Sequence, residues 1–299
     1  MKMKKNKIFF VINPLHSKKV QKLKNQIKKK FASDNYKINL LISEYKGHAI
    51  KLSKKAVDKK ATIVVACGGD GTINEVGQTL ARTSIPLGVI PLGSGNSFAR
   101  HFNISRKISI ALDVVIENYT TIIDIGKINN TFFFSNFGLG IEAKFIHEYS
   151  KKEIHGFLGY IISFFTTISS YKKLPIKIEI NKKEEILNPY LFLISNTSQQ
   201  GYNFSITPKA ITNDGIMNLV YTENSSLLIL FYNLIISLII KKNLFQKLKY
   251  SKLKQIKITT KSNKPYCLHV DGEILNINKK ELFINVISKS LKVIVPKKR

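Results

Sequence analysis

A rhythm in the first 90 residues restricts the fold more than any other feature. Short apolar runs rich in β-branched and aromatic side chains alternate with lysine-studded segments of helical periodicity. Residues 7 to 12 (KIFFVI) read as a buried strand stopped by Asn13-Pro14. Val20, Leu23, Ile27 and Phe31 follow at helical spacing, with Ser17 placed to cap. The alternation continues as strand 38–42, helix 48–58, strand 62–67, helix 72–81 and strand 86–90. Strands separated by helices make a parallel sheet with right-handed crossovers.

After about residue 119 the period changes. Strands are expected at 121–128, at 131–137 beyond the Asn129-Asn130 turn, at 176–180, 190–195 and 216–222, and within 254–295 around Asp271-Gly272. Helices are expected at 156–170 and 226–248. The fold class is therefore α/β. An N-terminal parallel-sheet domain (1–118) is followed by a β-rich antiparallel domain (119–299), whose last strand is free to pack back on the first. No Ser/Gly/Pro-rich linker separates them, and there is no internal repeat.

The 299 residues, 44% of them hydrophobic, are enough for one large domain or two ordinary ones. Charge is lopsided: 48 Lys+Arg against 19 Asp+Glu leave a net +29, so the expected partner is an anion. Only Arg82, Arg100, Arg106 and Arg299 are arginines. A reader of guanine edges uses the bidentate Arg fork, so no specific nucleic acid is expected. Cys67 and Cys267 lack CxxC partners, which excludes a disulfide framework or thiolate metal site and fits a reducing cytosol. The start has no apolar stretch adequate for a signal peptide. Residues 227 to 240, interrupted by Asn233 and Ser237, fall short of the ~20 needed to span a bilayer.

Glycine-bearing loops carry the chemistry. Gly68-Gly69-Asp70-Gly71-Thr72 follows a buried strand and opens a helix, where glycines admit a ligand to main-chain N–H groups and the helix N-terminus favours phosphate. Asp70 would repel a phosphate unless Mg²⁺ or a proton to be accepted lay between them, which points to phosphoryl transfer. The plainer alternative is an Asp that caps the helix. Pro91-Leu92-Gly93-Ser94-Gly95-Asn96 ends another apolar strand, where α/β sheets place ligands. It is not a dinucleotide fingerprint, because Phe98 stands where a third small residue is required, and no GxxxxGK[ST] is present.

These segments resemble, in order, the diacylglycerol kinase family and its bacterial lipid-kinase relatives. The residues that carry the likeness are Val11-Ile12-Asn13-Pro14, Gly47-His48-Ala49, GGDGTIN at 68–74, PLGSGNSFAR at 91–100, Ile123-Asp124-Ile125-Gly126, GLGIEA at 138–143, Pro208-x-Ala210 with Asp214-Gly215, and Val270-Asp271-Gly272-Glu273. The resemblance implies a two-domain kinase with ATP between the domains and a lipid hydroxyl as acceptor. It implies ATP contacts at Asn13, Pro14, Ser43, Gly68, Gly69, Asp70, Gly71, Thr72, Ile73, Asn74, Ser94, Gly95 and Asn96. It makes Glu273 the proton acceptor, with Asp70 and Asp124 in the same acidic cluster. Asp214, with the carbonyls of Ile211 and Ile216, matches a second metal site for Mg²⁺. Ser97 stands where the family has Asp, which removes a charge near the nucleotide and leaves the acceptor open.

The residues also speak for themselves. A lipid hydroxyl is a weak nucleophile, so a carboxylate that takes its proton helps; equally, Asp271-Gly272 is a hairpin turn and Glu273 its solvated flank. His16, His48, His101, His147, His155 and His269 show no HxxxH or HExxH spacing, against zinc catalysis. The apolar stretches 157–165 and 227–240 suit core or a lipid-facing surface. Lysines of 18–30 form a solvated face or hold the protein to an anionic membrane surface, worth about 1 kcal/mol each. The expectation is a cytoplasmic lipid kinase, peripheral on the inner face of the membrane, with a homodimer left open. An NAD kinase-like enzyme and a non-catalytic nucleotide or anionic-lipid binding protein are the rivals.

Overall fold

The computed structural model describes residues 6–14, 17–150, 157–171, 173–200, 205–222, 248–260, 266–277 and 279–297. The helix expected at 226–248 and the apolar stretch 227–240 therefore lie outside the described residues, as do His16 and His155. The chain divides into two compact units, Met1–Ile123 with Ser288–Arg299, and Asp124–Ile287.

The first unit alternates β1 (Asn6–Ile12), α1 (Ser17–Lys30), β2 (Tyr36–Ile42), α2 (His48–Asp58), β3 (Ile63–Gly68), α3 (Asp70–Leu80), β4 (Leu87–Pro91), α4 (Ser97–His101) and α5 (Ile108–Glu117). Its strands run β2-β1-β3-β4, all parallel. Every residue of β3 and β4 is buried, as a strand covered on both faces by crossover helices must be. Val20, Leu23 and Ile27 of α1 close one side, and Ile73, Val76 and Leu80 of α3 are likewise buried. The chain's final strand, β16 (Glu281–Ile294), begins in the second unit and brings Val293 parallel to Leu87 of β4.

Two features depart from the expected pattern. Helix α3 starts at Asp70 rather than Thr72, so a single residue, Gly69, joins strand to helix. Helices α4 and α5 had no periodic signal: α4 is five residues long, and α5 is apolar on most of its surface.

Among its described residues the second unit is a two-sheet antiparallel sandwich with two helices. It takes up β5 (Thr120–Ile128) from Asp124 onward, then β6 (Thr131–Phe133), β7 (Asn136–Gly140), α6 (Ile141–Ser150), α7 (Phe157–Ser170), β8 (Ile176–Ile180), β9 (Lys183–Leu187), β10 (Leu191–Ser195), β11 (Met217–Thr222), β12 (Leu248–Leu253), β13 (Gln255–Thr260), β14 (Tyr266–Val270) and β15 (Glu273–Ile277). One sheet is ordered β12-β11-β10-β7-β14-β15; the other carries β16-β13-β8-β9. Side chains from both meet in one core, among them Phe137, Phe192, Leu219 and Leu268 from the first and Ile178, Ile258, Leu282 and Ile284 from the second. The segment expected as one strand at 131–137 is two, β6 and β7, because Phe134 and Ser135 turn their N–H groups out of the ladder toward Asp271. Among the described residues no helix is long and apolar enough to cross a membrane.

Candidate active site

Because β2, β1, β3 and β4 are parallel neighbours, the residues just past their C-terminal ends fall in a row: Ser43, Asn13, the Gly68–Gly71 loop and the Pro91–Asn96 loop. Main-chain bonds knit the row together. Ser43 N–H donates to Ile12 O, Asn13 N–H to Cys67 O and Leu92 N–H to Gly68 O, each at 2.9 Å. The Asn13 amide donates to Thr72 Oγ1 at 3.2 Å. The decisive contact lies between two glycines. A Cβ added at Gly93 would stand 2.7 Å from Gly69 Cα, so the two loops cross backbone on backbone with no room for a side chain. A Cβ on Gly69 would meet nothing nearer than 3.6 Å.

Asp70 sits at the start of α3, yet its carboxylate serves α4. Oδ2 accepts the Ser97 N–H at 3.0 Å, and Oδ1 accepts the Ser97 hydroxyl at 3.0 Å and the Phe98 N–H at 3.1 Å. It is an N-cap supplied from another helix. Burial raises the carboxyl above its ordinary pKa, and the main-chain and hydroxyl donors at Phe98, Ser97 and Asn96 only partly pull it back. Asn96, at φ 50°, is buried and donates from Nδ2 to Gly93 O at 2.6 Å. Ser94 is exposed on the loop, and Pro14 is exposed beside Asn13. Ile73, expected among the nucleotide contacts, buries its side chain in the core, which leaves only its main chain for a ligand. Asn74 accepts from Gln78.

One residue that the sequence reading passed over helps hold this end of the unit. Glu75 takes the N–H groups of Gly47 at 2.8 Å and Ala49 at 3.0 Å, capping α2 where Gly47 has φ 86°. An acid three to five residues past a glycine loop was the only available signal. His48, at the same helix start, accepts the Glu44 N–H on Nδ1 and stacks on Tyr45.

In the second unit Asp124 is fully buried, and its Oδ2 accepts the Gly215 N–H at 2.6 Å. Its own N–H donates to Thr212 O, also at 2.6 Å. The expected metal ligand Asp214 therefore lies on a turn that Asp124 fastens. Asp214 is exposed and accepts the Ile216 N–H on Oδ1 at 3.2 Å, while Ile211 is 53% exposed. Glu273 is exposed at the first position of β15, paired with Val270. Asp271, two residues before it, is buried. Among the described residues no three His, Cys, Asp or Glu side chains gather as a metal-binding group.

The diacylglycerol kinase catalytic domain family model matches residues 7–128, and the YegS C-terminal NAD kinase beta sandwich-like domain matches residues 137–295. The chain belongs to the diacylglycerol kinase family. Its relatives include a diacylglycerol kinase of Staphylococcus aureus, 31% identical over 82% of this chain and 78% of that one. Another, from Staphylococcus haemolyticus, is 30% identical over 80% of this chain and 73% of its own length. A crystal structure from Bacillus anthracis superposes with a TM-score of 0.78 at 21% identity, covering 99% of both chains. A diacylglycerol kinase from the same organism gives 0.74 at 20%, over 99% of this chain and 98% of that one. Membership in the diacylglycerol kinase family makes the chain one of a group of lipid kinase-like transferases, and the α/β domain followed by an antiparallel β-rich domain is the fold of those neighbours.

Proposed function

We propose that this protein is an ATP-dependent lipid kinase that transfers the γ-phosphoryl group of ATP to the hydroxyl of a lipid alcohol, diacylglycerol first among the candidates. The observation that carries the reading is the crossing of Gly69 over Gly93 beside the α3 N-terminus. Main chain bare of side chains at a helix start is what a polyphosphate needs, since N–H donors and the positive end of the helix dipole both face it. Asn13, Ser43 and Ser94 flank the same row and would take the remainder of the nucleotide.

In the transfer, the acceptor hydroxyl gives its proton to the Glu273 carboxylate while its oxygen bonds to the γ-phosphorus. The bond to the bridging oxygen breaks, and ADP leaves with that electron pair. Asp70 is already committed to Ser97 and Phe98, so its part is to hold the glycine loops together. Asp214 with the carbonyls of Ile211 and Ile216 is a hard-oxygen donor set of the type Mg²⁺ accepts. An ion held there would stiffen the turn that Asp124 fastens. The excess of lysine suits an acceptor delivered at an anionic membrane surface.

The test is incubation of purified protein with labelled ATP, Mg²⁺ and a total lipid extract. A chloroform-soluble labelled phosphate is expected, and diacylglycerol added to the extract should raise its yield. Label appearing only in added NAD, or in nothing, overturns the proposal.

A further inference from the structure

The hairpin that presents Glu273 closes through two residues, Asp271 at φ 50° and Gly272 at φ 82°, the pattern of a type I′ turn. A turn-former at that position has no need to be buried. Asp271 is nevertheless only 5% exposed. Its Oδ1 accepts the N–H groups of Ser135 at 2.7 Å and Asn136 at 2.9 Å, and its Oδ2 that of Phe134 at 2.9 Å. Its own N–H donates to Asn136 O at 2.8 Å. Three successive main-chain N–H groups converging on one carboxylate form an anion-binding nest, here filled by a side chain of the same protein. Burying a charge is costly, and charge-assisted bonds of this number are what offset it.

The nest connects onward. Asn196 is buried and donates from Nδ2 to Phe134 O at 3.0 Å and to Asp124 O at 2.8 Å. Asn136 accepts the Ser195 hydroxyl at 2.6 Å. A continuous set of hydrogen bonds thus runs from the Glu273 turn through residues 134–136 to the main chain of Asp124. It also explains why β6 and β7 are separate strands.

Resting on the reading of Glu273 as proton acceptor, we infer that Asp271 is a positioning residue. By filling the 134–136 nest it fixes the hairpin that carries Glu273 in register with Asp124. It acts through Glu273 and does not itself touch the reacting atoms.

Asp271→Asn is the probe, because the amide keeps one acceptor oxygen but turns an N–H toward a main-chain N–H. Amide hydrogen exchange at Phe134, Ser135 and Asn136 should accelerate about tenfold or more, since a weakened hydrogen bond exposes the group it held. In vesicles of phosphatidylglycerol carrying diacylglycerol, kcat should fall about 10- to 100-fold with ATP affinity by calorimetry nearly unchanged. The double variant Asp271→Asn/Glu273→Gln should lose no more than Glu273→Gln alone. Multiplying losses would mean that Asp271 acts independently of Glu273 and would overturn the inference. So would unaltered exchange at 134–136, or unaltered kcat. Asp271→Glu, which keeps the charge on a longer arm, should recover part of the loss; a variant no better than Asn overturns the nest as the cause. The exchange measurement needs no turnover, so a wild-type protein with no lipid kinase activity sinks the proposed function and leaves the nest to be judged separately.

Discussion

Ser97 closes both oxygens of Asp70: its hydroxyl donates to Oδ1 and its main-chain N–H to Oδ2, each at 3.0 Å. A carboxylate at position 97 would set two like charges side by side; the Ser97 hydroxyl gives Asp70 a donor instead. Ser97→Ala should cost about 1.5–3 kcal/mol in urea melts, the worth of one hydrogen bond to a charged group. Ser97→Asp should cost more at neutral pH and regain stability on acidification, as one of two adjacent carboxyls takes a proton. Equal stability of the Ala and Asp variants at pH 7 would contradict the pairing.

Asp70 itself has a signed pH dependence. Its folded pKa is raised by burial, so the folded state binds more protons than the unfolded state between the ordinary carboxylate value and the raised one. Wild type should therefore gain stability over Asp70→Asn as pH falls through that window, and the gap should stop widening below the ordinary carboxylate range. A gap that narrows on acidification would refute the assignment.

His101, in the last turn of α4, runs the other way. Burial lowers its pKa from 6.5 to about 4. The unfolded state then binds the extra proton, and stability is lost as pH falls from about 6.5 to about 4. At about 1.4 kcal/mol for each pH unit of that window, the loss is of the order of a few kcal/mol. His101→Gln should flatten this limb of the curve; an unchanged slope in urea melts between those pH values counts against it.

The glycine crossing predicts an asymmetry. Gly93→Ala forces Cβ to 2.7 Å from the Gly69 backbone and should cost about 1–3 kcal/mol, with ATP binding lost. Gly69→Val puts its Cβ in ordinary contact, 3.6 Å from the Gly93 Cα, so it should keep more stability than Gly93→Ala and lose ATP binding through the side chain it places where phosphate lies. Calorimetric titration and thermal melts on the two proteins separate the cases; Gly69→Val with unchanged ATP affinity ends the phosphate reading.

Glu273→Gln keeps the side chain's size and removes the base. A drop in kcat of about 10²–10⁴ with nearly constant ATP affinity is expected. Activity within about twofold of wild type would return Glu273 to the role of a solvated hairpin flank. Asp70→Asn should instead lose stability and ATP affinity together, because its carboxylate holds the two glycine loops; a folded Asp70→Asn with normal ATP binding and no turnover would make Asp70 the base.

Much of the first unit was readable from its residues alone. The apolar runs of β1, β3 and β4 and the lysine-backed stripe of α1 obey local periodicity, and local periodicity is written in consecutive residues. The loops after those strands were readable for the same reason, since a parallel sheet puts every strand C-terminus on one side. Helix α4 was not, because five residues hold little helical preference and its cap comes from Asp70, 27 positions earlier in the chain.

What the order of residues determined by itself was the alternation, the glycine loops and the acids that stand in them. The tertiary structure alone decided what those acids do. Asp70 and Asp271 look alike in sequence, each beside a glycine and each a natural ligand for metal or proton. Folding brings Ser97 and Phe98 to the first and the N–H groups of 134–136 to the second, and in both cases the donors come from segments far away in the chain. A carboxylate's chemistry depends on which donors surround it in a low-dielectric interior. Those neighbours are assembled by packing across the chain, so no local pattern around Asp70 or Asp271 could have told a capping acid from a catalytic one.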